Sequence, residues 1–224
     1  MHAWGAAEVP SVRPSAAVRN MTTIGDTSFR LIIAAELLAM VVVRDYYFLF
    51  RSKESVVERM RGSVERGWLT ATLVTLALFH FGAVIVYVAR PSALAWSAFQ
   101  VRESIRWCGI AVSVAGAAGE VWGLLSLGAS YNPLLRVGKQ HTLSTAGAYR
   151  WIRHPLYSFA LPLTGGWCIA ARNWFIIATG IVVTMLTMII RAPREETMML
   201  EAFGEPYRAY TERTGRFFPK VRAR

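Results

Sequence analysis

Trp174-Phe-Ile-Ile-Ala-Thr-Gly-Ile-Val-Val-Thr-Met-Leu-Thr-Met-Ile-Ile190 contains no charged residue. A bilayer core takes about 20 residues of helix to cross, and a run this uniformly apolar reads as a membrane span. Only Arg172-Asn173 separates it from another apolar block, about Leu156 to Ala171, which contains Pro162, Gly165 and Gly166. Two blocks joined so tightly predict a helical hairpin. Further upstream lie blocks at about Ile105–Ala129, Trp68–Val88 and Phe29–Phe50. The third carries Gly109, Ser113, Gly116, Gly119 and Gly123, small residues that let membrane helices approach closely. The second ends at Arg90-Pro91, a stop signal. The pattern predicts an all-α integral membrane fold with five transmembrane helices.

Composition agrees. Hydrophobic residues make up 54% of the 224, charged residues 17%, and mean hydropathy is +0.34. The net charge of +11 lies mostly between and after the apolar blocks, as on a membrane protein's cytoplasmic loops, which argues against nucleic acid. With five spans, the 51–67 and 130–155 loops and the C-terminal tail share one side and carry 17 of the 25 basic residues. That side is expected to be cytoplasmic, with the N-terminus opposite. Residues 1–28 read as a disordered segment without the apolar core of a secretory signal, and 29–224 as a single membrane domain. Cys108 and Cys168 sit in apolar blocks without metal-ligand spacing, so no metal is expected. Glu36 and Glu120 are costly in hydrocarbon and call for pairing, with Arg44 or His80 as candidates.

Two polar stretches flank the hairpin. Residues 141–157 hold two histidines, two tyrosines, two arginines and a proline. Arg191 to Glu196 leaves the fifth block and continues to Tyr207 and Tyr210. The hairpin makes the two stretches neighbours. A pocket between them would have rings and histidines on one wall, and arginine with carboxylates on the other. Carboxylates bond ribose hydroxyls or an ammonium, and tyrosine faces hold cations. His154-Pro155 fixes the backbone just before a helix begins. No Rossmann glycine fingerprint, P-loop or serine-hydrolase elbow is present.

These stretches resemble the signature of the isoprenylcysteine carboxyl methyltransferase family, related to the phospholipid methyltransferases. The matching positions are His141, Leu143, Gly147, Tyr149, Arg153-His154-Pro155, Tyr157, Arg191, Glu195-Glu196, Phe203-Gly204, Tyr207 and Tyr210, over about residues 139–219. The resemblance implies a membrane-embedded methyltransferase using S-adenosyl-L-methionine. It implies that the cofactor is held by His141, Thr142, Leu143, Ser144, Gly147, Tyr149, His154, Pro155, Leu156, Tyr157 and Glu195. Arg191 would position the substrate, with Glu196 beside it in the catalytic group. Ser144 departs from the family's usual valine.

The implied reaction is direct displacement at the sulfonium methyl, for which aligning the reactants can supply roughly 7–11 kcal/mol. Arg191 favours a lipophilic, anionic acceptor such as a prenylcysteine carboxylate. A phospholipid amine or a small thiol on the same fold stays open, as does a non-catalytic lipid-binding or scaffold protein. Membrane lipids are expected partners.

Overall fold

The computed structural model describes residues 24–51, 67–132 and 142–220. Its helices are α1 (Ile24–Tyr46), α2 (Gly67–Ala89), α3 (Glu103–Leu127), α4 (Pro155–Ala171), α5 (Trp174–Phe203) and α6 (Glu205–Arg213). A π-helical turn, Tyr47–Arg51, extends α1. Short 3-10 turns lie at Pro91–Ser97, Gly128–Ser130 and Gly147–Arg150. The 51–67 loop falls almost wholly outside the described residues. So does the N-terminal segment before Ile24.

The fold is an all-α bundle, but the span count differs from the expected five. Among the described residues, three helices are long and apolar enough to cross a membrane: Ala71–Ala89, Glu103–Ser130 and Trp174–Phe203. Two of the expected five fall short for physical reasons. α1 is long enough, but every 18-residue stretch of it carries at least three charges drawn from Asp26, Arg30, Glu36, Arg44 and Asp45. α4 has 17 residues, about 26 Å at 1.5 Å per residue, less than a bilayer core of about 30 Å. The bundle's outer faces expose Leu78, Leu125, Ile181 and Ile189.

Small residues set the pairing of α3 with α4. A Cβ on Gly109 would lie 2.9 Å from the Gly166 carbonyl oxygen, and one on Gly123 would lie 2.8 Å from Leu156. Between them, Gly116 abuts the Leu163 backbone and Gly119 the Phe159 ring. Each step toward the end of α3 thus meets a residue nearer the start of α4. The absence of side chains lets these antiparallel backbones touch.

The two-residue turn between α4 and α5 is held from several directions. Arg172 adopts the left-handed conformation, φ 46° and ψ 44°, rare for a non-glycine residue. Asn173 caps α5 by accepting from the Ile176 amide at 3.1 Å. The same carboxamide donates to the Leu94 carbonyl and accepts from the Ser97 hydroxyl. The Arg172 guanidinium donates to Asp26 at 2.8 Å, and buried Arg106 donates to the other Asp26 oxygen. Helices α1, α3 and the hairpin turn therefore share one ionic cluster at this end of the bundle.

Gly116→Ala places a methyl on the Leu163 backbone and is expected to cost about 1–3 kcal/mol. Gly82→Ala, where nothing lies within 4 Å of the new Cβ, is expected to be neutral or stabilising by up to about 1 kcal/mol. Thermal unfolding in detergent separates the two. Equal midpoints for both variants would contradict the close α3–α4 contact.

Candidate functional site

The site lies at the end of the bundle opposite the Asp26 cluster. Helix α5 supplies one wall because it does not stop where its apolar run stops. It continues for another 13 residues as one helix to Phe203, carrying Pro193 within it. Arg191, Glu195, Met198 and Met199 stand at i, i+4, i+7 and i+8, one face of the helix, and all four line a cavity of about 210 Å³. Glu196 lies about 100° further round and is not among the lining residues.

The loop before α4 supplies the opposite wall. Gly147 has φ +56°, a left-handed conformation that suits glycine, and a Cβ there would also strike the Ser126 hydroxyl. That hydroxyl accepts from the Ala148 amide at 3.1 Å. Ser144 donates to the Ser126 carbonyl at 2.8 Å. Its hydroxyl therefore anchors the loop to the last turn of α3, a use open to serine and closed to valine. His154 then precedes Pro155, which occupies the first turn of α4.

Glu195 is the meeting point of the two walls. Tyr157 donates to one of its carboxylate oxygens. His154 Nδ1 lies 3.2 Å from the other. His154 Nε2 lies 3.3 Å from Glu196, so the imidazole ring bridges two adjacent carboxylates. Burial opposes charge on His154, but its hydrogen bonds to the Glu195 and Glu196 carboxylates outweigh it and raise the pKa above the usual 6.5. Glu196 also receives Arg153 at 2.9 Å and Arg216 at 2.8 Å.

The chain beyond α6 clamps this arrangement. Arg153 and His154 donate their amides to the Gly215 and Arg216 carbonyls at 2.9 and 3.1 Å. The Ser158 hydroxyl donates to the Phe217 carbonyl at 2.7 Å. Gly204, φ +56°, ends α5 and allows α6 to fold back, placing Tyr207 and Tyr210 in the cavity wall. The Tyr210 hydroxyl donates to the Tyr149 carbonyl at 2.7 Å. Burial pushes the Tyr149 and Tyr207 phenols up and the Tyr210 phenol to about 12. All three rings are neutral at physiological pH.

The cavity brings together Leu143, Ser144, Tyr149, His154, Leu156, Tyr157, Arg191 and Glu195 from the expected set. Thr142, Gly147, Pro155 and Glu196 are not among its lining residues. Pro155 is fully buried, and Gly147 shapes the loop. His141 lies outside the described residues. Arg44, Tyr131, Met198 and Met199 also line the cavity, though the expected set did not include them. Arg44 is bonded at 2.8 Å to buried Glu120, the pairing expected from the cost of an intramembrane carboxylate. Its place at the cavity depends on the end of α1 meeting the end of α3, which local sequence does not encode. The other candidate partner, His80, instead meets the Thr179 hydroxyl at 3.0 Å.

Residues 109–201, from the first third of α3 to the last turn of α5, match the model of the isoprenylcysteine carboxyl methyltransferase family. Over that stretch the chain is similar to the family. A protein-S-isoprenylcysteine O-methyltransferase of Tribolium castaneum is 22% identical over 226 residues, covering 87% of this chain and 77% of that protein. A solved structure of the eukaryotic intramembrane Ras methyltransferase ICMT aligns with TM-score 0.56 and 21% identity, over 86% of this chain and 68% of that one. That likeness is one of fold. The family match contains both walls of the cavity but stops before α6.

A histidine whose pKa is raised by folding stabilises the protein fully below its unfolded value of about 6.5. That contribution is lost as pH rises through the raised folded value. The thermal midpoint in detergent is expected to fall across this window, and His154→Asn to remove that part of the slope. An unchanged slope in the variant would contradict the bridge.

Proposed function

We propose that this chain is an S-adenosylmethionine-dependent membrane methyltransferase of the isoprenylcysteine carboxyl O-methyltransferase kind, acting on a lipophilic, anionic acceptor. One observation carries the reading. The loop before α4 and the Arg191–Glu195 face of α5 line the same cavity from opposite sides.

The residues present fit the cofactor chemically. Glu195 is held by Tyr157 and His154, and a carboxylate retains further lone pairs for ribose hydroxyls or an ammonium. Neutral tyrosine rings suit both a base and a cationic centre. Leu143, Leu156, Met198 and Met199 give apolar surface. The cofactor, when bound, supplies an electrophilic methyl group on a sulfonium. Glu195 binds its polar end, and Tyr149 and Tyr157 face its flat or cationic parts.

Arg191 stands at the boundary between the apolar run of α5 and its polar extension. There it orients an anionic acceptor while the acceptor's tail stays in the apolar layer. Glu196, engaged with Arg153, His154 and Arg216, serves as a positioning residue for His154 and thereby for Glu195. The finer topology belongs to the same proposal. The site faces the cytoplasm, on the side with the excess of basic residues.

The test is methyl transfer from labelled S-adenosylmethionine to a farnesylcysteine analogue by the full chain in lipid nanodiscs. Arg191→Ala is expected to lose about 10- to 100-fold in transfer, the worth of a hydrogen bond to a charged group, while binding S-adenosylhomocysteine normally. Glu195→Gln is expected to weaken that binding by a similar factor. Unchanged turnover in Arg191→Ala would overturn the acceptor role. No cofactor binding by the wild type would overturn the whole reading.

A further inference from the structure

Behind the candidate site, on the far side of Tyr210, lies a second cavity of about 520 Å³. Tyr210 lines both. Among the described residues, three cationic side chains, Arg150, Arg213 and Lys220, line the second cavity, and no carboxylate does. Lys220 is fixed over the end of α6 by donating to the Glu212 carbonyl at 2.8 Å, which leaves other ammonium hydrogens to donate. The Arg150 guanidinium lies 5.6 Å from the centroid of the Trp151 ring.

Two exposed aromatic residues accompany these cations. Trp151 is 55% exposed and lines the cavity, and Phe218, two residues before Lys220, is 74% exposed. Arg150 and Trp151 stand only a few residues before Pro155, where α4 enters the bundle. The cavity therefore sits near the level at which the helices leave the apolar layer. Large rings left bare at that level favour the membrane interface. Cations gathered there without a carboxylate favour the phosphate of an acidic lipid.

We propose that this cavity binds the phosphate headgroup of an anionic phospholipid, with Trp151 and Phe218 seated in the interface beside it. The methyltransferase reading is not needed for this site. Because Tyr210 is the shared wall, a bound headgroup would brace α6 against the Tyr149 loop.

The test uses native mass spectrometry of the detergent-solubilised full chain, offered phosphatidylglycerol and phosphatidylcholine at equal concentrations. The wild type is expected to retain phosphatidylglycerol preferentially. Arg150→Gln/Arg213→Gln/Lys220→Gln is expected to lose about 100-fold in that retention, from roughly fivefold per basic side chain. Arg90→Gln/Arg102→Gln, exposed at the other end of the bundle, is expected to retain it. The charge-preserving Arg150→Lys/Arg213→Lys is expected to stay within about tenfold of wild type, so the proposal remains testable if the glutamine variant unfolds. Equal retention of the two lipids by the wild type, full retention by the folded glutamine variant, or loss in the lysine variant as large as in the glutamine one would overturn the proposal. Displacement of the lipid by millimolar inorganic phosphate would also overturn it, by marking a site for free anion.

Discussion

The turn at Arg172 and Asn173 gives the chain two residues in which to reverse, and the chemistry at the other end of the bundle depends on that brevity. A turn so short leaves α4 and α5 little freedom to slide past one another. Helix α4 has 17 residues and α5 has 30, so α5 overhangs its partner by 13 residues, about 20 Å. The overhang carries Arg191 and Glu195 alongside the loop that feeds α4. Tyr157 can then reach Glu195, and His154 can lie between Glu195 and Glu196. The glycine contacts of α3 with α4 fix the remaining degree of freedom.

Charge is distributed accordingly. An ion pair taken out of water recovers its desolvation cost only with good geometry and further hydrogen bonds. At the turn, Asp26 binds both Arg106 and Arg172. Beneath the cavity, Glu120 binds Arg44 with two hydrogen bonds to one oxygen. Between these levels Glu36 accepts from Ser113 and Trp167. Each carboxylate ties together elements distant in sequence, so the bundle is pinned at three heights by polar contacts as well as by apolar packing.

Much of this arrangement was legible in the sequence, and what was not has a physical reason. The helix limits follow the apolar blocks within a few residues at most ends, because apolar length alone marks them. The exception is α5, whose polar extension keeps helical geometry after hydropathy has ended. That Glu120 is paired followed from the cost of an isolated charge in hydrocarbon, with Arg44 one of two candidate partners. The direction of Glu196 did not, since it depends on the rotation between neighbouring helix positions and on a clamp from Gly215 to Phe217, some 20 residues later. The span count was overestimated because α4, although bounded as its apolar block predicts, is shorter than a bilayer core, and α1 carries at least three charges in every 18-residue stretch.

We propose that both walls of the cavity hold one adenosyl ligand. Electron cryomicroscopy of the full chain in lipid nanodiscs with S-adenosylhomocysteine tests it most directly. Ligand density is expected between Tyr157 and Glu195 on one side and Leu143 and Tyr149 on the other, within hydrogen-bond reach of the Glu195 carboxylate. Ligand density away from that cavity, with Glu195 still bonded only to Tyr157 and His154, would contradict it.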